Sequence, residues 1–144
     1  MKQEDRLLLL KDLTARLLYG VQLRIDGDEY PKLFRVESDC INCYPIDKFE
    51  IKPYLRLLSS MTEEEAKEIC ILYGLKDILS IKITDKYIDV VVDDGVCSTE
   101  IRTIWYDEII SSIEIFDYLN VNHFDYRGLI PKGLALEAPE GMYN

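Results

Sequence analysis

The chain has 144 residues, 48% of them hydrophobic and 31% charged, a composition that excludes a wholly disordered chain and supports an ordinary hydrophobic core. The net charge is -10, and the excess is confined to one part: residues 1–60 carry ten basic and ten acidic side chains, residues 61–144 seven basic and seventeen acidic. Direct nucleic-acid binding is therefore not expected, because phosphate contacts need clustered Lys or Arg, whereas a protein partner or plain solubility suits an acidic surface.

The first predicted element is an amphipathic helix from about Asp5 to Leu18, with Leu9, Leu10, Leu13, Leu17 and Leu18 as its apolar stripe and Gly20 as its left-handed stop. Val21 to Ile25 alternates as a half-buried strand does, Asp26-Gly27-Asp28 reads as a turn, and Leu33 to Val36 as the return strand. A third strand is expected within Tyr44 to Ile51, with Pro45 limiting its pairing and Pro53 to Leu58 as a connection.

Thr62 and Glu65 form a capping box, Met61 and Ala66 a hydrophobic staple, and the helix they open runs to about Tyr73 and stops at Gly74. Ile78–Thr84 and Tyr87–Val92 read as strands, Val90-Val91-Val92 marking a central one. Asp93-Asp94-Gly95 reads as a turn into a strand from about Cys97 to Trp105. A third helix is expected from about Asp107 to Leu119. Glycines and prolines then make residues 128–144 an irregular segment packed on the rest. The order α-β-β-β-α-β-β-β-α predicts an α+β fold, a single domain over 1–144, with mostly antiparallel pairing.

No secretory leader and no apolar stretch of membrane-spanning length is read, so a cytoplasmic protein without membrane association is expected, with reduced cysteines. Cys40 and Cys43 have the spacing of half a zinc site, but Cys70, Cys97 and His123 are too dispersed to complete it. Asp93 and Asp94 could hold a divalent metal, although Asp-Asp-Gly is equally what a hairpin turn requires. No glycine-rich phosphate loop occurs, so no cofactor is expected.

The densest chemistry is His123, Asp125 and Arg127, which alternate around Phe124 and Tyr126. In an extended segment the three polar side chains share a face: His123 as general base, Asp125 orienting it, Arg127 holding an anion. The competing structural account makes the aromatics anchors and the polar face a cap on the preceding helix. Ten tyrosines supply rigid amphipathic contact area of the kind used at interfaces.

Two blocks carry a resemblance. Lys52-Pro53-Tyr54-Leu55-Arg56 continuing into Ser59-Ser60-Met61-Thr62-Glu63-Glu64 is the first, and Phe116-Asp117-Tyr118-Leu119-Asn120 through His123-Phe124-Asp125-Tyr126-Arg127-Gly128-Leu129-Ile130 to Lys132-Gly133-Leu134-Ala135-Leu136-Glu137-Ala138 the second. They resemble an uncharacterised small-protein family of Bacteroides-type gut bacteria and their phages and mobile elements. Leu18 and Leu57 stand where proline is frequent in that group. The resemblance implies a biological setting and carries no activity, cofactor or catalytic residue. The expectation is a non-enzymatic protein-binding or regulatory factor of phage or mobile-element origin, including an anti-defence role through an acidic mimic surface. The alternatives are a small hydrolase or metal-dependent nuclease using His123 and Asp125, and a structural or assembly component whose oligomeric state the sequence does not give.

Overall fold

In a computed structural model the described residues are 1–26, 32–35, 50–96 and 98–143. They form four α-helices, α1 (Gln3–Arg16), α2 (Glu63–Tyr73), α3 (Tyr106–Ile109) and α4 (Ile113–Val121), and seven strands. The strands are β1 (Gln22–Asp26), β2 (Lys32–Arg35), β3 (Glu50–Leu55), β4 (Ile78–Ile83), β5 (Tyr87–Asp93), β6 (Thr99–Trp105) and β7 (Leu136–Glu137). The fold is α+β, with one sheet in the order β2-β1-β3-β7 and a second in the order β4-β5-β6. Every strand pair is antiparallel except β3 with β7. The chain forms two compact units, residues 1–56 with 120–144, and residues 57–119.

In the first unit α1 buries Leu9 and Leu13 against Val21, Leu23, Ile25, Ile51, Leu55, Leu129, Leu134 and Ala135. The expected stripe is only partly the observed one. The α-helix ends at Arg16, a tighter 3₁₀ turn covers Leu17–Tyr19, and the changed rotation leaves Leu18 90% exposed. Gly20 takes the left-handed conformation that stops the run, at φ 65°.

Among the described residues the third strand overlaps its expected stretch at Glu50 and Ile51 and continues through Pro53, where a connection was expected. It runs Glu50–Leu55, alternates exposed and buried like a half-buried strand, and includes Pro53. The proline is tolerated because of where its missing donor falls. Ala138 N–H donates to Leu55 C=O at 2.7 Å, so odd-numbered backbone groups of β3 face β7, whose pairing begins only at Tyr54↔Leu136. Cys40, Cys43, the Asp26-Gly27-Asp28 turn beyond Asp26, and the expected strand from Tyr44 up to residue 49 lie outside the described residues.

In the second unit the capping box is complete: Glu65 N–H donates to Thr62 Oγ1 and Thr62 N–H donates to Glu65 Oε2 at 2.9 Å. The helix buries Ala66, Ile69 and Cys70 and ends at Gly74, φ 100°. β5 is the central strand, with Ile88, Val90 and Val92 buried. The helix expected over 107–119 is two helices, because Ile110 to Ser112 leave helical register between α3 and α4. The segment after α4, expected to be irregular, contributes strand β7 and a parallel bridge between Arg56 and Phe124. Among the described residues no helix is long and apolar enough to cross a membrane.

Candidate functional site

His123, Asp125 and Arg127 all belong to the first unit, where the chain leaving α4 docks on the end of β3. Arg56 N–H donates to His123 C=O, and Asp125 N–H to Arg56 C=O, each at 2.8 Å. His123 itself is left-handed, φ 60°, a conformation in which histidine is enriched among non-glycine residues. That kink breaks the alternation expected of an extended segment. His123, Phe124 and Asp125 are all buried, and the predicted shared polar face does not form.

Each polar side chain has other employment. The Asp125 carboxylate accepts from Leu129 N–H and Ile130 N–H, both at 2.8 Å, one per oxygen. It thereby satisfies two donors of the turn that leads to β7, and its geometry is that of a loop clamp. Arg127 Nε lies 3.3 Å from Asp12 Oδ1 on α1 and donates to Tyr126 Oη. Tyr126 Oη in turn donates to Asn120 Oδ1 at 2.9 Å, tying the segment back to the end of α4.

The core of this constellation is an ion pair that lies wholly within the interior. Arg16 Nε donates to Asp12 Oδ2 at 2.8 Å, and Arg16 Nη2 donates to Asp12 Oδ1 at 3.1 Å and Phe124 C=O at 2.7 Å. Both side chains have no exposed area. Burying charges of this kind is costly unless they are paired and further hydrogen-bonded, and the carbonyl of Phe124 supplies the extra acceptor. The guanidinium groups of Arg16 and Arg127 also lie over the Tyr126 ring, 5.3 and 5.0 Å from its centroid. Among the described residues Arg16 Nη1 has no hydrogen-bond partner.

His123 stacks on Tyr143, with ring centroids 3.9 Å apart and planes 26° from parallel. Burial, then the positive charges of Arg16 and Arg56, push its pKa down to about 4, so the imidazole is neutral near pH 7. Among the described residues its Nδ1 has no hydrogen-bond partner, and Asp125 does not orient it. The base, its orienter and the anion clamp proposed from the sequence thus lie in one segment and form no relay.

The other candidates are equally committed. Asp93 Oδ1 accepts from Gly95 N–H at 2.9 Å. Asp94 accepts from the N–H groups of Val96 and Ser98 and from the Ser98 hydroxyl, which lowers its pKa. Both carboxylates hold the β5–β6 turn. Cys70 is buried, its thiol pushed up to about 11 by desolvation. Cys97 lies outside the described residues, and among those described no group of three His, Cys, Asp or Glu side chains could hold a metal ion.

Sequence reasoning missed Asp12, Arg16 and Tyr143. A signal existed for the first two: Asp12 and Arg16, four residues apart, interrupt the stripe of Leu9 and Leu13 that faces the core. A charged pair on the apolar face of a helix marks a buried bridge. Tyr143 had no local signal.

It missed a surface as well. On the second unit's sheet, Tyr87, Asp89 and Val91 of β5 stand opposite Trp105, Thr103 and Ile101 of β6, on the face turned away from buried Ile88, Val90 and Val92. Tyr87 and Trp105 make an edge-to-face ring contact at 5.0 Å, and Thr103 Oγ1 donates to Asp89 Oδ1 at 2.7 Å. Ile101 is 70% exposed and Trp105 is 41% exposed, an unusual outlay of large apolar side chains on an outer sheet face.

What the fold and site define is an α+β chain with a buried ionic clasp in one unit and an open, aromatic-bearing sheet face in the other. No protein-family model matches the sequence, and neither the curated proteins nor the solved structures contain a significantly similar chain.

Proposed function

We propose that this chain is a non-enzymatic protein-binding factor that seats a partner on the outer face of the β4–β5–β6 sheet. The observation that carries the reading is the stripe of exposed Ile101 and Trp105 with half-buried Tyr87 and Val91 on that face. Aromatic and aliphatic side chains held rigid by a sheet supply contact area at little entropic cost. Asp89 and Asp93 share the face, and Asp94 lies in the adjoining turn, so the partner surface is apolar with a basic rim. The acidic excess of residues 61–144 favours the same complement.

The hydrolase reading loses its support. His123 is neutral, stacked and without an orienting acid, and Asp125 is spent on backbone donors. The setting is the one the sequence resemblance implies, that of a phage or mobile element.

The test is affinity capture from a Bacteroides-type host, followed by titration of the purified captured protein. Wild type should bind it, while Val91→Lys and Trp105→Ser should weaken binding by tenfold or more, as truncation of central apolar anchors does. Lys132→Glu, far along the sequence in the other unit, should leave it unchanged. Equal affinity of wild type and both sheet variants would overturn the reading.

A further inference from the structure

Among the described residues β6 is hydrogen-bonded on one side only, to β5. Tyr106 N–H donates to Lys86 C=O, and Asp94 N–H to Ser98 C=O, at the two ends of this ladder. In the same register the hydrogen-bonded pairs are Ile88↔Ile104, Val90↔Arg102 and Val92↔Glu100. Antiparallel alternation then turns the N–H and C=O groups of Thr99, Ile101, Thr103 and Trp105 outward, away from β5. Among the described residues nothing pairs with them.

We propose that this edge is the interface of a twofold dimer, in which β6 pairs antiparallel with β6 of a second copy about an axis through Ile101. Only registers that set odd residues against odd residues join the free groups, so the axis must pass through a residue and not between two. An axis at Glu100 or Arg102 sets like charges opposite each other at the close, non-hydrogen-bonded spacing, which is destabilising. An axis at Thr103 sets Arg102 against Ile104, with no charge match. The axis at Ile101 sets Glu100 against Arg102 of the second copy and Arg102 against its Glu100, with Thr99 against Thr103 and Ile101 against itself.

The Glu-Ile-Arg triplet is therefore self-complementary, the property an isologous interface requires. Within one chain Arg102 Nε already lies 3.1 Å from Glu100 Oε1, and both side chains are about half exposed. Across the seam the four charges alternate in sign. The dimer joins two three-stranded sheets into one of six strands and pairs the outward backbone groups of β6. Repulsion between two acidic chains is screened beyond about 8 Å at physiological salt, so the local pairs decide the contact. The inference does not depend on the docking reading, since it rests on the edge of β6 and on Glu100 and Arg102, which lie on the face opposite the stripe of Tyr87, Val91, Ile101 and Trp105.

Sedimentation equilibrium of the full chain tests it. Wild type should show a monomer–dimer equilibrium, and Glu100→Arg and Arg102→Glu should each weaken it by about tenfold or more. An equimolar mixture of these two variants should form a heterodimer, because every pair is then complementary, and the double variant Glu100→Arg/Arg102→Glu should dimerise with itself. Unchanged Trp105 emission confirms that each variant is folded. A wild-type chain that stays monomeric to its solubility limit would overturn the proposal, as would a dimer indifferent to both single substitutions.

Discussion

Tyr143 and Tyr54 are joined across 89 positions of sequence by a 2.6 Å hydrogen bond from the Tyr143 hydroxyl to the Tyr54 carbonyl. The same hydroxyl accepts from Gln22 N–H at 2.9 Å. The β1–β3 register runs from Asp26↔Glu50 to Leu23↔Pro53, so Gln22 and Tyr54 come next in line. A side chain from the end of the chain is inserted where the ladder would otherwise have closed, and its phenol, pushed up to about 12 mainly by burial, stays protonated as a donor.

Tyr143→Phe keeps the ring stacked on His123 and removes both hydrogen bonds. Gln22 N–H and Tyr54 C=O then lose their partner in a half-buried site, at about 1–3 kcal/mol. A lowered urea midpoint with an unchanged m-value is the expected result. Faster amide exchange at Gln22 would place the loss at this ladder.

Asp12→Ala leaves Arg16 buried without its Asp12 counter-ion and removes the Asp12 contact of Arg127. Breaking a buried pair from one side costs about 3–5 kcal/mol. The double variant Asp12→Leu/Arg16→Met should recover much of that loss, because it removes the uncompensated charge. Thermal unfolding by circular dichroism checks the order: wild type, then the double variant, then Asp12→Ala.

Asp125→Asn offers one carbonyl oxygen where two carboxylate oxygens each accept a backbone N–H. The orphaned donor at Leu129 or Ile130 should cost about 1–3 kcal/mol. Hydrogen exchange should rise at those two amides. A loss of stability equal to that of Asp125→Ala would show that one remaining oxygen is not enough.

His123 has a pH signature with a definite sign. Its folded pKa is depressed to about 4 against an ordinary 6.5. Between these values the unfolded chain binds the extra proton, so stability is full above about pH 6.5 and falls as pH drops towards about 4. The contribution amounts to about 3 kcal/mol over the window. His123→Phe preserves stacking on Tyr143 and should remove this slope. Urea titrations of both proteins at a series of pH values give the difference directly.

Much of the fold was legible from local pattern. Thr62 and Glu65, Gly74, and the central strand marked by Val90-Val91-Val92 are read from neighbours a few residues away. The continuation of the third strand through Pro53 to Leu55 was missed because Pro53 suggests an interruption, and its missing donor is harmless only because it points to the side where β7 has not yet begun to pair. The single helix expected at 107–119 has continuous apolar spacing, which does not register the break at Ile110 to Ser112.

The candidate site shows the same division. Sequence located the segment from His123 to Arg127 and the residue types in it. It also marked the Asp-Asp-Gly turn, whose carboxylates bond to donors within four residues. Roles within the segment depended on distant groups: Asp12 for Arg127, Arg56 for the backbone at His123 and Asp125, and Tyr143 for the imidazole ring. By itself the sequence determined the α+β class, the helix caps and the charge asymmetry, because propensity, capping and net charge act over a few residues or over composition. Only the tertiary structure decided that His123 is a neutral stacked ring, Asp125 a loop clamp and β6 an open edge. Burial and hydrogen-bond partners come from residues brought together across the chain, and no local spacing encodes them.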